Sequence, residues 1–149
     1  MEKSFISTST ASTQQIGQNL ATHLKGGDSV LLYGDLGSGK TTLAQGIAKG
    51  LGVQGHVNSP TFLIMRSYPI PEGANAEILY HIDAYRLHDE RDAEGLGLSE
   101  IFSDKKAITL CEWPERLSSL LPESSLYIYC SYIDEEKRQI VIQNKKKGK

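Results

Sequence analysis

The stretch "SVLLYGDLGSGKTTLAQGIAKGLG" limits what this chain can fold into more than any other. A short continuous apolar run, Ser29 to Tyr33, feeds a glycine loop, and the loop opens into apolar residues at helical spacing. The length of the run and its place before the loop predict a strand covered on both faces. "KTTLAQGIAKGLG" reads as a helix closed by Gly50 or Gly52. Gly34, Gly39, Lys40 and Thr41 satisfy the pattern G-x-x-x-x-G-K-[ST]. Glycines let the backbone turn tightly, so that successive N–H groups point inward at phosphate oxygens. The following helix offers its positive end to the same anion. Gly37, Ser38, Gly39 and Thr42 belong to the same cradle. Lys40 is expected at the β- and γ-phosphates, and the Thr41 hydroxyl on a Mg²⁺ that bridges them.

The remaining segments read as mixed α/β. "STQQIGQNLATHLKGG" predicts a helix, with Ser12 and Gln15 as a capping box and Gly26 as its stop. "SPTFLIMRSY" reads as a loop entering a strand, "PIPEGANAE" as a turn and "ILYHIDAY" as a second strand, so the two strands form a hairpin. "DERDAEGLG" is a charged, helical connection, and "KAITLCEWP" is a further strand whose pairing Pro114 stops. "SLYIYCSY" and "RQIVIQ" flank a charged turn and predict a closing hairpin. The expected architecture is a single P-loop NTPase-like α/β domain over residues 1–144, its mixed sheet carrying antiparallel hairpins and flanked by helices. The basic "KKKGK", 145–149, reads as a disordered tail.

At 149 residues the chain is one domain by length. A net charge of −2 gives no global basic field to draw it onto nucleic acid. No run approaches the ~20 apolar residues of a membrane span. Cys111 and Cys130 each lie in an apolar run, as buried thiols of a reducing compartment do. With no signal-peptide pattern at the start, a cytoplasmic protein is expected.

A nucleotide site also needs acids. Two apolar strands end in one, "ILYHID" at Asp83 and "AITLCE" at Glu112. Either carboxylate could hold Mg²⁺ or orient an attacking water, and periodicity does not assign the roles. His81 reads as a core or rim histidine bonded to backbone. Trp113, the one tryptophan, follows Glu112 and is either core or close to the nucleotide. Tyr127 and Tyr129 alternate as sheet-packing residues do.

Many activities share such a loop. A GTPase would follow its metal acid with D-x-x-G and carry N-K-x-D, whereas Asp83 precedes "AYR" and "NKKK" lacks the aspartate. A small-molecule kinase needs an acceptor pocket and an arginine-bearing lid. The five arginines here are scattered, at Arg66, Arg86, Arg91, Arg116 and Arg138. A kinase, a nucleotide-gated interaction module without useful hydrolysis and a minimal nucleotide switch read by another protein remain as classes.

Taken in order, "GDLGSGKTT", "SPTF", "HIDAYRL" and "EWPERL" resemble the bacterial TsaE family, from about Thr10 to the closing hairpin. Ser38, Ala84 and Cys111 depart from its usual alanine, leucine and branched residue. The resemblance implies a weak, Mg-dependent and partner-dependent ATPase. It would assist the TsaD–TsaB complex in repeated synthesis of threonylcarbamoyladenosine beside the tRNA anticodon, meeting tRNA only through that complex. It implies ATP and Mg²⁺ as cofactors, Thr41 and Glu112 at the metal and Asp83 by the triphosphate. Thr10 matches a nucleotide-contacting position. So does a basic residue of the C-terminal turn, where Lys137 aligns without a gap and Arg138 adjoins it. Thr61 in "SPTF" falls where a switch segment would sense the γ-phosphate.

Overall fold

The computed structural model describes residues 2–55, 57, 64–88 and 90–144. Seven strands form one sheet: β1 (Glu2–Ser7), β2 (Ser29–Tyr33), β3 (Met65–Pro69), β4 (Ile78–Asp83), β5 (Ala107–Glu112), β6 (Leu126–Tyr132) and β7 (Arg138–Asn144). Their order across the sheet is β1-β7-β6-β2-β5-β4-β3. The inner four, β6, β2, β5 and β4, run parallel, and the pairs at both edges are antiparallel. β2 therefore lies mid-sheet, so the loop that leaves its C-terminal end opens where α/β sheets bind ligands.

Alternation along the strands divides the core in two. Val30, Leu32, Leu79, Leu110 and Ile128 face α1 (Thr10–Ala21) and α2 (Lys40–Gly50). Leu31, Ile82 and Cys111 face the other way, under α3 (Glu90–Glu94), α4 (Leu98–Phe102) and a 3₁₀ helix, Pro114–Leu120. β2 is buried on both faces, as its continuous apolar run requires. Tyr127 and Tyr129 pack on Tyr33, ring centroids 6.0 and 5.0 Å away. Both cysteines are free and buried.

Four features differ from the sequence reading. The cap of α1 is Ser9, whose extended backbone lets its hydroxyl accept the Ser12 N–H at 3.0 Å; Ser12 itself is helical. The helix stops at Ala21, before Gly26, and the Thr22 hydroxyl donates to the Asn19 carbonyl at 2.7 Å just past its end. β1 carries no apolar alternation and is exposed over most of its length, so only its pairing with β7 makes it a strand. The charged connection holds one short helix, α3, a second, α4, follows it from Leu98, and Pro114 starts the 3₁₀ helix as well as ending β5.

α1 and α2 cross at close quarters. A Cβ at Gly46 would run into the carbonyl oxygen of Gln14, and one at Gly17 would lie 2.6 Å from that of Leu43. Backbone cannot yield there as a side-chain tip can. Gly46→Ala is expected to destabilise the protein by about 1–3 kcal/mol, the usual cost of overpacking, despite alanine's better helix propensity. Urea unfolding followed by circular dichroism measures it; a neutral or stabilising result would contradict the close packing.

Candidate functional site

The phosphate-loop geometry starts at Gly34, with φ +146°, where a side chain would strike the Cys130 carbonyl and the Ser38 hydroxyl. Gly37 and Gly39 have φ of +80° and +100°, a region that disfavours side chains. Gly39 is the N-cap of α2 and brings no capping side chain. The first-turn N–H groups and the positive helix end are thus left to the cleft the loop lines. That cleft measures about 550 Å³, within the usual range for a small-molecule site.

Lys40 opens α2 and is largely buried. Its ammonium donates to the Gly34 carbonyl and lies 3.7 Å from the centroid of the Trp113 ring. Burial lowers its pKa, against the opposing pull of Glu112, Glu115 and Asp83. Trp113 has φ +60°, the one non-glycine left-handed residue described. That backbone turn points the chain from β5 into the 3₁₀ helix, and the indole packs 5.0 Å from the Tyr85 ring.

Asp83 and Glu112 are register partners at the ends of β4 and β5, on the α2 side of the sheet. They differ in setting. Asp83 is half-buried and accepts the Tyr85 N–H at 3.0 Å. Glu112 is 3% exposed; its two oxygens lie 3.3 and 3.4 Å from the Thr41 hydroxyl, and Oε2 is 2.7 Å from Nε2 of His81. His81 thus bonds a carboxylate, where the sequence pointed to backbone.

The opposite wall comes from β7. Arg138 Nε donates to the Gly37 carbonyl at 3.0 Å, and its guanidinium lies 4.7 Å from the Tyr132 ring centroid. The turn below it is held by Asp134, whose carboxylate accepts the N–H groups of Glu136 at 2.9 Å and Lys137 at 2.8 Å. Those bonds hold the Asp134 pKa below its ordinary value.

One cleft gathers Gly37, Ser38, Gly39, Lys40, Thr41, Thr42, Asp83, Glu112, Trp113 and Arg138. Thr10, exposed at the first turn of α1, and Lys137, in the turn before β7, are not among its lining residues. Thr61 and the 145–149 tail lie outside the described residues. Sequence reasoning had not singled out Tyr85 and Arg86, which also line the cleft, although both follow Asp83 within "HIDAYRL". The donor set suits Mg²⁺: a hydroxyl and a carboxylate, both hard oxygens, stand together beside the loop. Among the described residues no three His, Cys, Asp or Glu side chains form a metal cage. Mg²⁺ is usually held instead by one or two carboxylates plus phosphate oxygens.

A family model described as "Threonylcarbamoyl adenosine biosynthesis protein TsaE" matches residues 7–140. The chain is similar to the tRNA threonylcarbamoyladenosine biosynthesis protein TsaE of Haemophilus influenzae, 36% identical over 87% of this chain and 79% of that one. The Bacillus subtilis protein of the same name is 40% identical over 86% and 77%, and that of Synechocystis 45% over 72% and 68%. In fold the chain is similar to a crystal structure of Bacillus subtilis YdiB, with a TM-score of 0.79 and 29% identity, covering 98% of this chain and 87% of that one.

Two outcomes follow from the geometry. Lys40→Ala should remove ATP-dependent thermal stabilisation and leave the far-UV circular dichroism of the unliganded protein unchanged. Full stabilisation by Mg-ATP in the variant would exclude Lys40 as a phosphate ligand. Trp113 fluorescence should change on saturation with ATP or ADP, because the ring touches Lys40 and lines the cleft; a flat titration would place the nucleotide elsewhere.

Proposed function

Because the chain belongs to the TsaE family, P-loop ATPases of threonylcarbamoyladenosine synthesis in tRNA, we propose that it binds Mg-ATP in this cleft, hydrolyses it slowly alone, and drives repeated turnover of a TsaD–TsaB complex in the cytoplasm. The observation that carries this reading is the convergence on one loop of Lys40, the Thr41–Glu112 pair and Asp83. The reaction of an ATPase is hydrolysis, so water is the nucleophile.

Loop N–H groups and the Lys40 ammonium bind the β- and γ-phosphates, with Lys40 exchanging its Gly34 carbonyl for phosphate oxygen. Thr41 and Glu112 would hold Mg²⁺, which supplies charge neutralisation between those phosphates. Glu112 suits that role because its oxygens are already fixed beside Thr41. Asp83, the more exposed carboxylate, then orients the attacking water. Arg138 braces the loop at Gly37 and offers its remaining donors to the nucleotide.

Two features support a partner at the cleft mouth. Leu36, which is 74% exposed, and Tyr85 are large apolar side chains on the lining itself. Tyr132 and Ile133 are exposed on the neighbouring hairpin. Apolar groups gathered at a site's rim mark an interaction surface. A surface docked there would exclude water and add charge at the γ-phosphate, an addition worth roughly 10³–10⁵ in rate elsewhere.

In a reconstituted system, modified tRNA formed beyond one turnover should require both this protein and ATP. Equal output without the protein would refute the function, however tightly the cleft binds nucleotide. Ile133→Glu, outside the cleft lining, should keep the slow ATPase of the isolated protein and lower multiple-turnover output. Unchanged output would move the docking surface away from this hairpin.

A further inference from the structure

Resting on the reading of Glu112 as the Mg²⁺-holding carboxylate, we propose that His81 is the positioning residue for that carboxylate. His81 lies in β4, in register with Leu110, two residues short of the Asp83–Glu112 pair. It shares the α2-facing side of the sheet with the apolar Leu79 and Leu110, and its register partner on β3 is the exposed Arg66. Its ring is 0% exposed, and Nδ1 has no hydrogen-bond partner among the described residues. Among the described residues, the ring's one polar engagement is Nε2 with Glu112 Oε2, at 2.7 Å.

An ionised carboxylate only accepts hydrogen bonds, so the Nε2 proton donates to Oε2. A leucine would fill the same layer without leaving a ring nitrogen unpaired; what the imidazole adds is that donor. Apart from His81, only the long contacts from the Thr41 hydroxyl, shared between both oxygens, restrain the Glu112 terminal torsion, which is intrinsically broad and roughly two-fold. Pinning Oε2 from the β4 side sets the carboxylate plane, with both oxygens at 3.3–3.4 Å from the Thr41 hydroxyl. Partners of this kind typically govern metal affinity or activity by about 10- to 100-fold. His81 sets where the carboxylate points and adds no group to the reacting atoms.

The test is Mn²⁺ affinity for the ADP complex, read by electron paramagnetic resonance, beside ADP affinity in chelator read by calorimetry. His81→Leu should weaken Mn²⁺ by about 10- to 100-fold and leave metal-free ADP binding at the wild-type value. His81→Gln sets an amide N–H near the place of Nε2 and should recover most of the loss. His81→Asn, whose amide stops short of that place, should not. Wild-type Mn²⁺ affinity in His81→Leu would overturn the proposal, and so would equal behaviour of the Gln and Asn variants. The Gln–Asn comparison decides the matter even if the leucine variant does not fold. Glu112→Gln is the control for the underlying reading. If it binds Mn²⁺ like wild type, Glu112 is not the metal carboxylate and the role of His81 falls with it. A loss in Glu112→Gln with none in His81→Leu would overturn the positioning role alone.

Discussion

A carboxylate that is 3% exposed needs other groups to replace the hydrogen bonds of the water it has lost. Glu112 is that group here, and much of the fold can be read as the means of housing it. It must sit at the C-terminal end of a central strand, so β5 lies between β2 and β4 and runs parallel to both. It needs a hydroxyl from the first turn of α2, so that helix must start directly above the sheet. The approach of α2 is set in turn by its packing on α1, where Gly17 and Gly46 allow backbone to meet backbone. Positive potential comes from Lys40 and from the uncapped end of α2, both on the same loop.

The phosphate loop, β2 and α2 were legible in the sequence because their signals are local. Strand, turn and helix follow one another within two dozen residues, and the loop glycines Gly34, Gly37 and Gly39 each answer a backbone angle. The β3–β4 and β6–β7 hairpins were legible too, from apolar runs separated by turn residues. β1 was not, since an exposed edge strand with no alternation differs from a polar segment only through its partner, β7. Ser9 and Ser12 are serines within one turn, and only the extended backbone at Ser9 marks it as the cap.

The site shows the same division. Lys40, Thr41, Asp83, Glu112 and Trp113 could be named from motif and strand-end position. The bond between His81 and Glu112 could not, because it joins adjacent strands two residues out of register. Position along one strand says nothing of a reach across to the next. The choice between Lys137 and Arg138 was likewise closed to sequence: they are neighbours in a turn. Arg138 begins β7 and meets the loop, while the backbone N–H of Lys137 helps satisfy Asp134.

The loop is gripped from two sides that have little to do with each other in sequence. On the β5 side, Trp113 meets the Lys40 ammonium. On the β7 side, Arg138 holds the Gly37 carbonyl, and Tyr132 stacks on the same guanidinium. The hairpin bearing Tyr132 and Ile133 is therefore one side chain away from the phosphate cradle. A surface that covers Tyr132 also covers the face on which Arg138 rests. Whatever changes the Arg138–Gly37 bond acts on the backbone that must turn its N–H groups toward phosphate. With a partner docked at this hairpin as proposed, nucleotide state and docking would share an intermediate, Arg138, whose hold on the loop both could alter. On the reading proposed above, that shared contact would couple nucleotide to partner through a single side chain.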